Sequence, residues 1–138
     1  MNTDTMLLGR VTYESFAAAF SAQSGGLADF LNNVPKCVVS TTLKQANWNN
    51  STLISANVIE EIIRLKQQSG KDIFINGSGT LVHSLMKHNL IDEYSLLLYP
   101  VTLGKGKRLF PDGFKSSMKL VNSKAFDSGV AFHHYQKA

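Results

Sequence analysis

Twice in this sequence a short apolar run ends in a glycine turn that opens onto a helical pattern. Thr5-Met6-Leu7-Leu8 runs into Gly9-Arg10-Val11-Thr12, and Asp72-Ile73-Phe74-Ile75 runs into Asn76-Gly77-Ser78-Gly79-Thr80. Short apolar strands followed by helices are the units of parallel sheets whose two faces are both covered. The chain is thereby directed toward an α/β architecture, and the remaining pattern agrees. Thr12 is expected to cap a helix whose inward face carries Phe16, Ala17 and Phe20. Ser21 to Gly26 interrupts it, and Leu27 to Leu31 form one more short helical stretch. Pro35 leads into a strand over Cys37 to Val39, which ends in the hydroxyl run Ser40-Thr41-Thr42. Leu53 and Ile54 form a brief strand, and Asn57 stands as an N-cap three residues ahead of Glu60. Ile59, Ile62 and Ile63 give a helical stripe, Glu60 and Arg64 an i,i+4 pair, and Gly70 the stop. After the second glycine turn, Leu81, Val82, Leu85 and Met86 mark a helix that ends near Asn89.

The last third of the chain reads differently. Tyr94 to Tyr99 is mostly apolar between Asp92-Glu93 and Pro100, the pattern of a strand covered on both faces. Leu103 to Gly113 holds three glycines, a proline and the cations Lys105, Lys107 and Arg108, and reads as a long loop. Strands near Lys119 to Phe126 and Val130 to Gln136, joined by Asp127-Ser128-Gly129, form an antiparallel hairpin. The expectation is a single domain over residues 1–138, with a mixed, mostly parallel sheet and a C-terminal antiparallel hairpin.

Its 138 residues, 43% hydrophobic and 17% charged, suffice for one core without disulfide or metal staples. Cys37 is the sole cysteine and reads as a small apolar residue in its strand. No apolar run approaches the ~20 residues that span a bilayer, and the N-terminus lacks a signal-peptide pattern. A cytoplasmic protein that neither enters a membrane nor is secreted is expected. The net charge of +4 favours anionic partners, among them nucleic acid, phosphorylated metabolites and dinucleotides. Scattered cations without interleaved aromatics argue against nucleic acid.

Each glycine turn has the chemistry of an anion site. Glycines let the backbone approach a ligand closely, the first amides of a helix lack internal partners, and the helix dipole favours negative charge there. At the turn 76–80, Ser78 and Thr80 add hydroxyl donors, but Gly77-x-Gly79 meets Val82 where a dinucleotide fingerprint needs its third glycine. By itself that turn fits a plain strand-to-helix connection equally well. Gly9, Arg10 and Thr12 repeat the design with a cation, and Ser40, Thr41 and Thr42 place three hydroxyls at another strand end. In an open α/β sheet, ligands sit outside the carboxyl ends of the strands, so the three motifs can converge. Other chemistries fail on spacing. A nucleophile elbow needs glycine at 76 and 80, where Asn76 and Thr80 stand, and a P-loop ending in Gly106-Lys107 needs glycine at Val101. His83 and His88 are five apart on a helix and the neighbours His133 and His134 point to opposite strand faces, so no metal site is expected.

Taken in order, the motifs resemble the dihydrofolate reductase superfamily, and within it the bacterial proteins similar to the RibD C-terminal reductase domain. The resemblance runs through Leu7-Leu8-Gly9-Arg10-Val11-Thr12-Tyr13-Glu14, Val38-Val39-Ser40-Thr41-Thr42-Leu43, Trp48-Asn49-Asn50-Ser51-Thr52, Asn76-Gly77-Ser78-Gly79-Thr80-Leu81, Leu90-Ile91-Asp92-Glu93-Tyr94 and the stretch from Pro100 to Phe110. It implies a dihydrofolate reductase-like three-layer α/β/α fold, a homodimer, and NADPH as cofactor, with NADH as the alternative. It further implies that Arg10 and Thr12 contact the cofactor phosphates, that Ser40 to Thr42 flank the adenosine 2′-phosphate, and that Gly77, Ser78, Gly79, Thr80 and Leu81 hold the pyrophosphate. Similar proteins often have arginine where Thr41 stands, and one hydroxyl replaces a bidentate phosphate contact there. They also carry a strand, a loop and a helix ahead of the Gly-Arg-x-Thr motif, whereas eight residues precede Gly9 here. The expectation is an N-terminally short domain: either the chain is a shortened product, or another segment, for instance from a second chain, replaces the strand. The implied activity is hydride transfer to a heterocyclic or sugar-phosphate small molecule. The nearest family reactions are reduction of the ribosylaminouracil intermediate of riboflavin synthesis and, second, pteridine reduction. The alternative of another class is a non-catalytic dinucleotide-binding or oligomerisation module.

Overall fold

The computed structural model of the chain describes residues 3–77 and 79–138. Its elements run β1 (Thr3–Gly9), α1 (Arg10–Phe20), α2 (Gly26–Asn33), β2 (Lys36–Val39), β3 (Ser51–Ile54), α3 (Val58–Gln67), β4 (Asp72–Ile75), α4 (Gly79–Lys87), β5 (Glu93–Leu98), β6 (Met118–Ala125) and β7 (Ala131–Lys137). The first four strands form a parallel sheet of order β3-β2-β1-β4, and the last three an antiparallel sheet of order β5-β7-β6. The α/β class with antiparallel C-terminal strands is as the sequence predicts. Two compact units divide the chain, Met1–Ser84 and Leu85–Ala138.

In the first unit, β1 lies between β2 and β4 and is the most deeply buried strand, with Met6, Leu7 and Leu8 at 2% exposure or less. Side chains alternate along a strand, so Met6 and Leu8 share one face and Leu7 takes the other. Met6 and Leu8 join Tyr13, Leu31, Val34, Val38 and Trp48 in one core cluster, against which Phe16, Ala17 and Phe20 of α1 pack. The connection from β1 to β2 and the connection from β3 to β4 travel in opposite directions across the sheet. With right-handed crossovers this places α1 and α2 on one face and α3 on the other.

Three local expectations need correction. Helix α1 begins at Arg10 with Gly9 as its N-cap residue and no side-chain cap bond, so Thr12 lies inside the first turn and does not cap it. Asn57 does stand at the start of α3, but in a left-handed conformation with φ of 52° and without a side-chain cap bond. Arg64 pairs with Glu61 at 2.9 Å, one residue nearer than Glu60, because that rotamer reaches the i−3 position.

In the second unit, β7 pairs with both β5 and β6, and Gly129 closes the β6–β7 turn through its N–H to the Phe126 carbonyl at 2.9 Å. Tyr94 is buried against Phe110, which stacks in turn on Phe114 at 5.9 Å, so the long loop carries its own aromatic anchor. The covered-strand reading of residues 94–99 fails here. Leu97 and Leu98 are 57% and 67% exposed. The strand is an edge of its sheet, and an apolar run only shows that a strand can be covered.

Candidate functional site

Because β2, β1 and β4 are parallel neighbours, their carboxyl ends lie along one sheet edge, and the three motifs follow these ends. Gly9 pairs in register with Val39, so Ser40 is the next residue beyond the same level. Leu7 pairs with Ile75, which brings Asn76 and Gly77 beside Leu8 and Gly9. The Gly9 N–H points to the Gly77 carbonyl at 3.4 Å, tying the first and third motifs together. They meet between β1 and β4, where the strand order turns back on itself, the place at which open α/β sheets leave a crevice.

The two glycines of the third motif are held for different reasons. Gly77 has φ of +112°, and a Cβ built there would stand 2.7 Å from Thr12 Oγ1, so both its backbone and its neighbour exclude a side chain. Thr12 is therefore the residue against which the Gly77 backbone packs. Gly79 opens α4, and a Cβ there would meet nothing within 4 Å. The fold does not require glycine at 79; the open space does leave the first turn of α4 approachable. Thr80 is exposed and Leu81 is buried at 7%, so Thr80 can offer its hydroxyl while Leu81 anchors the helix. Ser78 lies outside the described residues.

Arg10 is exposed and bonds Glu14 at 3.1 Å, a pairing across one helical turn that contributes little and leaves most of the guanidinium donors available. Ser40 is only 8% exposed, and its Oγ accepts the N–H groups of Thr42 at 3.2 Å and Leu43 at 3.0 Å. That hydroxyl shapes the turn, while Thr41 and Thr42 are the exposed members of the motif. Arg10 opens α1 at the same sheet edge. Arg108 pairs with Asp112 inside its own loop at 3.0 Å, and His134 bonds Glu93 at 3.0 Å on the antiparallel sheet. Among the described residues there is no cluster of three metal-ligating side chains. Burial pushes the Cys37 thiol up, away from its reactive thiolate.

Sequence reasoning missed one group at the amino end of β2, opposite the end that carries Ser40–Thr42. Lys36, 1% exposed, donates from Nζ to the carbonyls of Val34 at 2.8 Å and Asn49 at 2.7 Å, and stands 4.4 Å from the centre of the Trp48 ring. The Trp48 N–H donates to Tyr13 Oη at 2.8 Å, and its Nε1 donates to Asn32 Oδ1 at 2.7 Å. Burial lowers the lysine from its usual 10.5 to about 8. A lone cation at the head of an apolar strand was the only available signal.

The family profile of the RibD C-terminal domain matches residues 1–132. The chain belongs to that family. Two relatives from Bacillus subtilis (strain 168) agree, and both are uncharacterized: YyaP, 32% identical over 92% of this chain and 70% of its own, and YwjB, 31% identical over 95% and 72%. Among solved structures, a Shewanella sp. PV-4 protein with a provisional riboflavin-biosynthesis name matches with a TM-score of 0.79 at 21% identity, over 99% of this chain and 75% of its own. A dihydrofolate reductase from Enterococcus faecalis, complexed with NADP(H), matches at 0.64 and 16% identity over 96% and 73%. A pyrimidine reductase-like protein from Corynebacterium diphtheriae matches at 0.68 and 12% identity over 99% and 76%. At these identities the structures show a shared dihydrofolate reductase-like fold. Within the RibD C-terminal domain family, the conjunction of Gly9–Thr12, Ser40–Thr42 and Gly77–Leu81 is thus part of a reductase-type fold.

Proposed function

We propose that this RibD C-terminal domain protein binds NADPH along the carboxyl ends of β2, β1 and β4 and serves as a reductase of a small heterocyclic or sugar-phosphate substrate. The observation that carries the reading is the joining of two helix starts, α1 at Gly9 and α4 at Gly79, by the Gly9–Gly77 and Thr12–Gly77 contacts. Two helix starts then lie at one sheet edge, with Arg10 at the first of them. The donor set fits the group: main-chain N–H groups and the Thr80 hydroxyl for the pyrophosphate, Thr41, Thr42 and Arg10 for the 2′-phosphate.

The cofactor supplies the hydride. The chain supplies position and field. Dipoles at the starts of α1 and α4 hold the negative charge, and the open position of Gly79 lets the ligand come close to the backbone. The substrate class is that of the family, a ribosylaminopyrimidine first and a pterin second, and the cellular setting is the cytoplasm. A homodimer accompanies this reading, since the exposed apolar run Leu97, Leu98, Tyr99, Val101 and Leu103 is the kind of patch that a second subunit covers.

Titration with NADPH and with NADH, followed by nicotinamide fluorescence, tests the binding step. Saturable NADPH binding with weaker NADH is expected, and no binding of either contradicts the proposal. Loss of reduced-nicotinamide absorbance on adding a ribosylaminopyrimidine or a pterin then distinguishes a reductase from a module that only holds the dinucleotide.

A further inference from the structure

Lys36 is a buried ammonium that no carboxylate neutralises among the described residues. Its acceptors are two carbonyls and an aromatic ring. The elements around it bring no acid. On β1 its register partner is Met6, and the β1 acid, Asp4, gives its carboxylate to the Lys71 N–H instead. On β3 the partner is Ser51, from α2 comes Asn32, and from α1 comes Tyr13, whose phenol is the titratable group that faces the cluster besides Lys36 itself. A buried charge held this way is costly, and an apolar side chain of the same length would fill the space with less cost.

The contacts of the cluster point to what the charge does. The loop 43–50 leaves directly from Ser40–Thr42 and is fastened at its far end. Trp48 is bonded to Tyr13 and Asn32, the Asn49 side chain donates to the Asn32 carbonyl at 2.9 Å, and the Asn50 side chain donates to the Asn33 carbonyl at 2.7 Å. Tyr13 follows Thr12 in the first turns of α1. One cluster therefore links two of the three motifs at the sheet edge.

We propose that Lys36 is a positioning residue whose ammonium, seated on the Trp48 ring, fixes loop 43–50 and through it the mutual placement of Thr41–Thr42 and the first turn of α1 for the cofactor, an inference that rests on the NADPH reading. A neutral amine retains two N–H donors, which is the number that the Val34 and Asn49 carbonyls use. Deprotonation therefore leaves those two bonds in place and removes the attraction between cation and ring, so that the Trp48 ring is what loosens.

Trp48 is the only tryptophan, so tryptophan emission reports on this cluster, and the Lys36 variants isolate the contribution of the ammonium. Emission of the full chain from pH 6 to pH 10 is expected to show one transition near pH 8, absent in Lys36→Met and in Lys36→Arg. NADPH affinity is expected to fall about fivefold across the same interval in the wild type, the size of one cation–ring contact. In Lys36→Met it starts about fivefold weaker and stays level with pH; in Lys36→Arg, whose charge persists, it remains near the wild-type value at pH 7 and stays level. The arginine variant carries the test should the methionine variant fail to fold. A flat Trp48 signal with NADPH binding intact overturns this inference and leaves the cofactor reading standing. A Trp48 transition with pH-independent NADPH affinity also overturns it. Absence of NADPH binding at every pH overturns the cofactor reading and the positioning role together.

Discussion

The two units of the chain put similar amounts of apolar sequence to opposite uses. In the first, Met6, Leu7 and Leu8 are sealed on both faces of a central strand, and every proposed cofactor residue sits at the ends of the strands around it. In the second, the equally apolar Leu96-Leu97-Leu98 occupies an edge strand, with Leu97 and Leu98 largely in solvent. A strand's composition thus sets what burial it can accept, while its place in the sheet sets what burial it receives. The difference agrees with the proposed cofactor site in the first unit and with a second subunit as the proposed cover of Leu97 and Leu98 in the second.

That contrast can be broken by substitution. Leu8→Ala removes a side chain with 0% exposure and should cost about 2–5 kcal/mol in denaturant unfolding, whereas Leu98→Ala should change stability by roughly 0.5 kcal/mol or less while shifting the mass seen by light scattering toward monomer. Equal costs for the two leucines would erase the distinction between the units.

A second effect, also large, comes from Lys36. Its proton is held until about pH 8 in the folded chain and until about 10.5 in the unfolded one. Between these values the unfolded state binds more protons, so stability contributed by this group rises with pH, by up to about 3 kcal/mol in total, and is level below pH 8. Lys36→Met should remove that rise from the pH dependence of unfolding. An unchanged profile would show that Lys36 is not the buried cation of the first unit.

Gly77→Ala is the next in size. A residue with a side chain at φ of +112° and in contact with Thr12 Oγ1 should cost about 1–3 kcal/mol, and pairing it with Thr12→Ala should recover the contact part and leave the backbone part. Full recovery in the double variant would mean that the left-handed backbone carries no cost.

Much of this was legible beforehand because it is local. Asp72 to Ile75 coincides with β4 residue for residue, since an apolar run bounded by turn residues fixes both ends. The face made by Phe16, Ala17 and Phe20 packs on the core as its spacing indicates. That the three motifs stand at the carboxyl ends of strands also followed from alternating strands and helices, whereas the order β2-β1-β4 did not. What escaped depends on contacts far apart in the chain. Thr12 has the side chain of a cap, but Gly9 begins the helix and Thr12 packs on residue 77 instead. Lys36 has the composition of a strand end at the surface, yet Asn49 and Trp48 from the following loop close over it. The exposure of Leu97 and Leu98 depends on β5 having a single partner strand, a fact about topology that no window of sequence contains.

Gly79 offers the most direct test that the two joined helix starts grip a dinucleotide. Its position is open, so Gly79→Val should fold with unfolding midpoints close to the wild type. NADPH titration by nicotinamide fluorescence should then show micromolar-range binding to the wild type and at least about tenfold weaker binding to the variant, a loss of about 1.4 kcal/mol. Equal NADPH affinity in the two folded proteins would contradict the placement of the pyrophosphate at this turn.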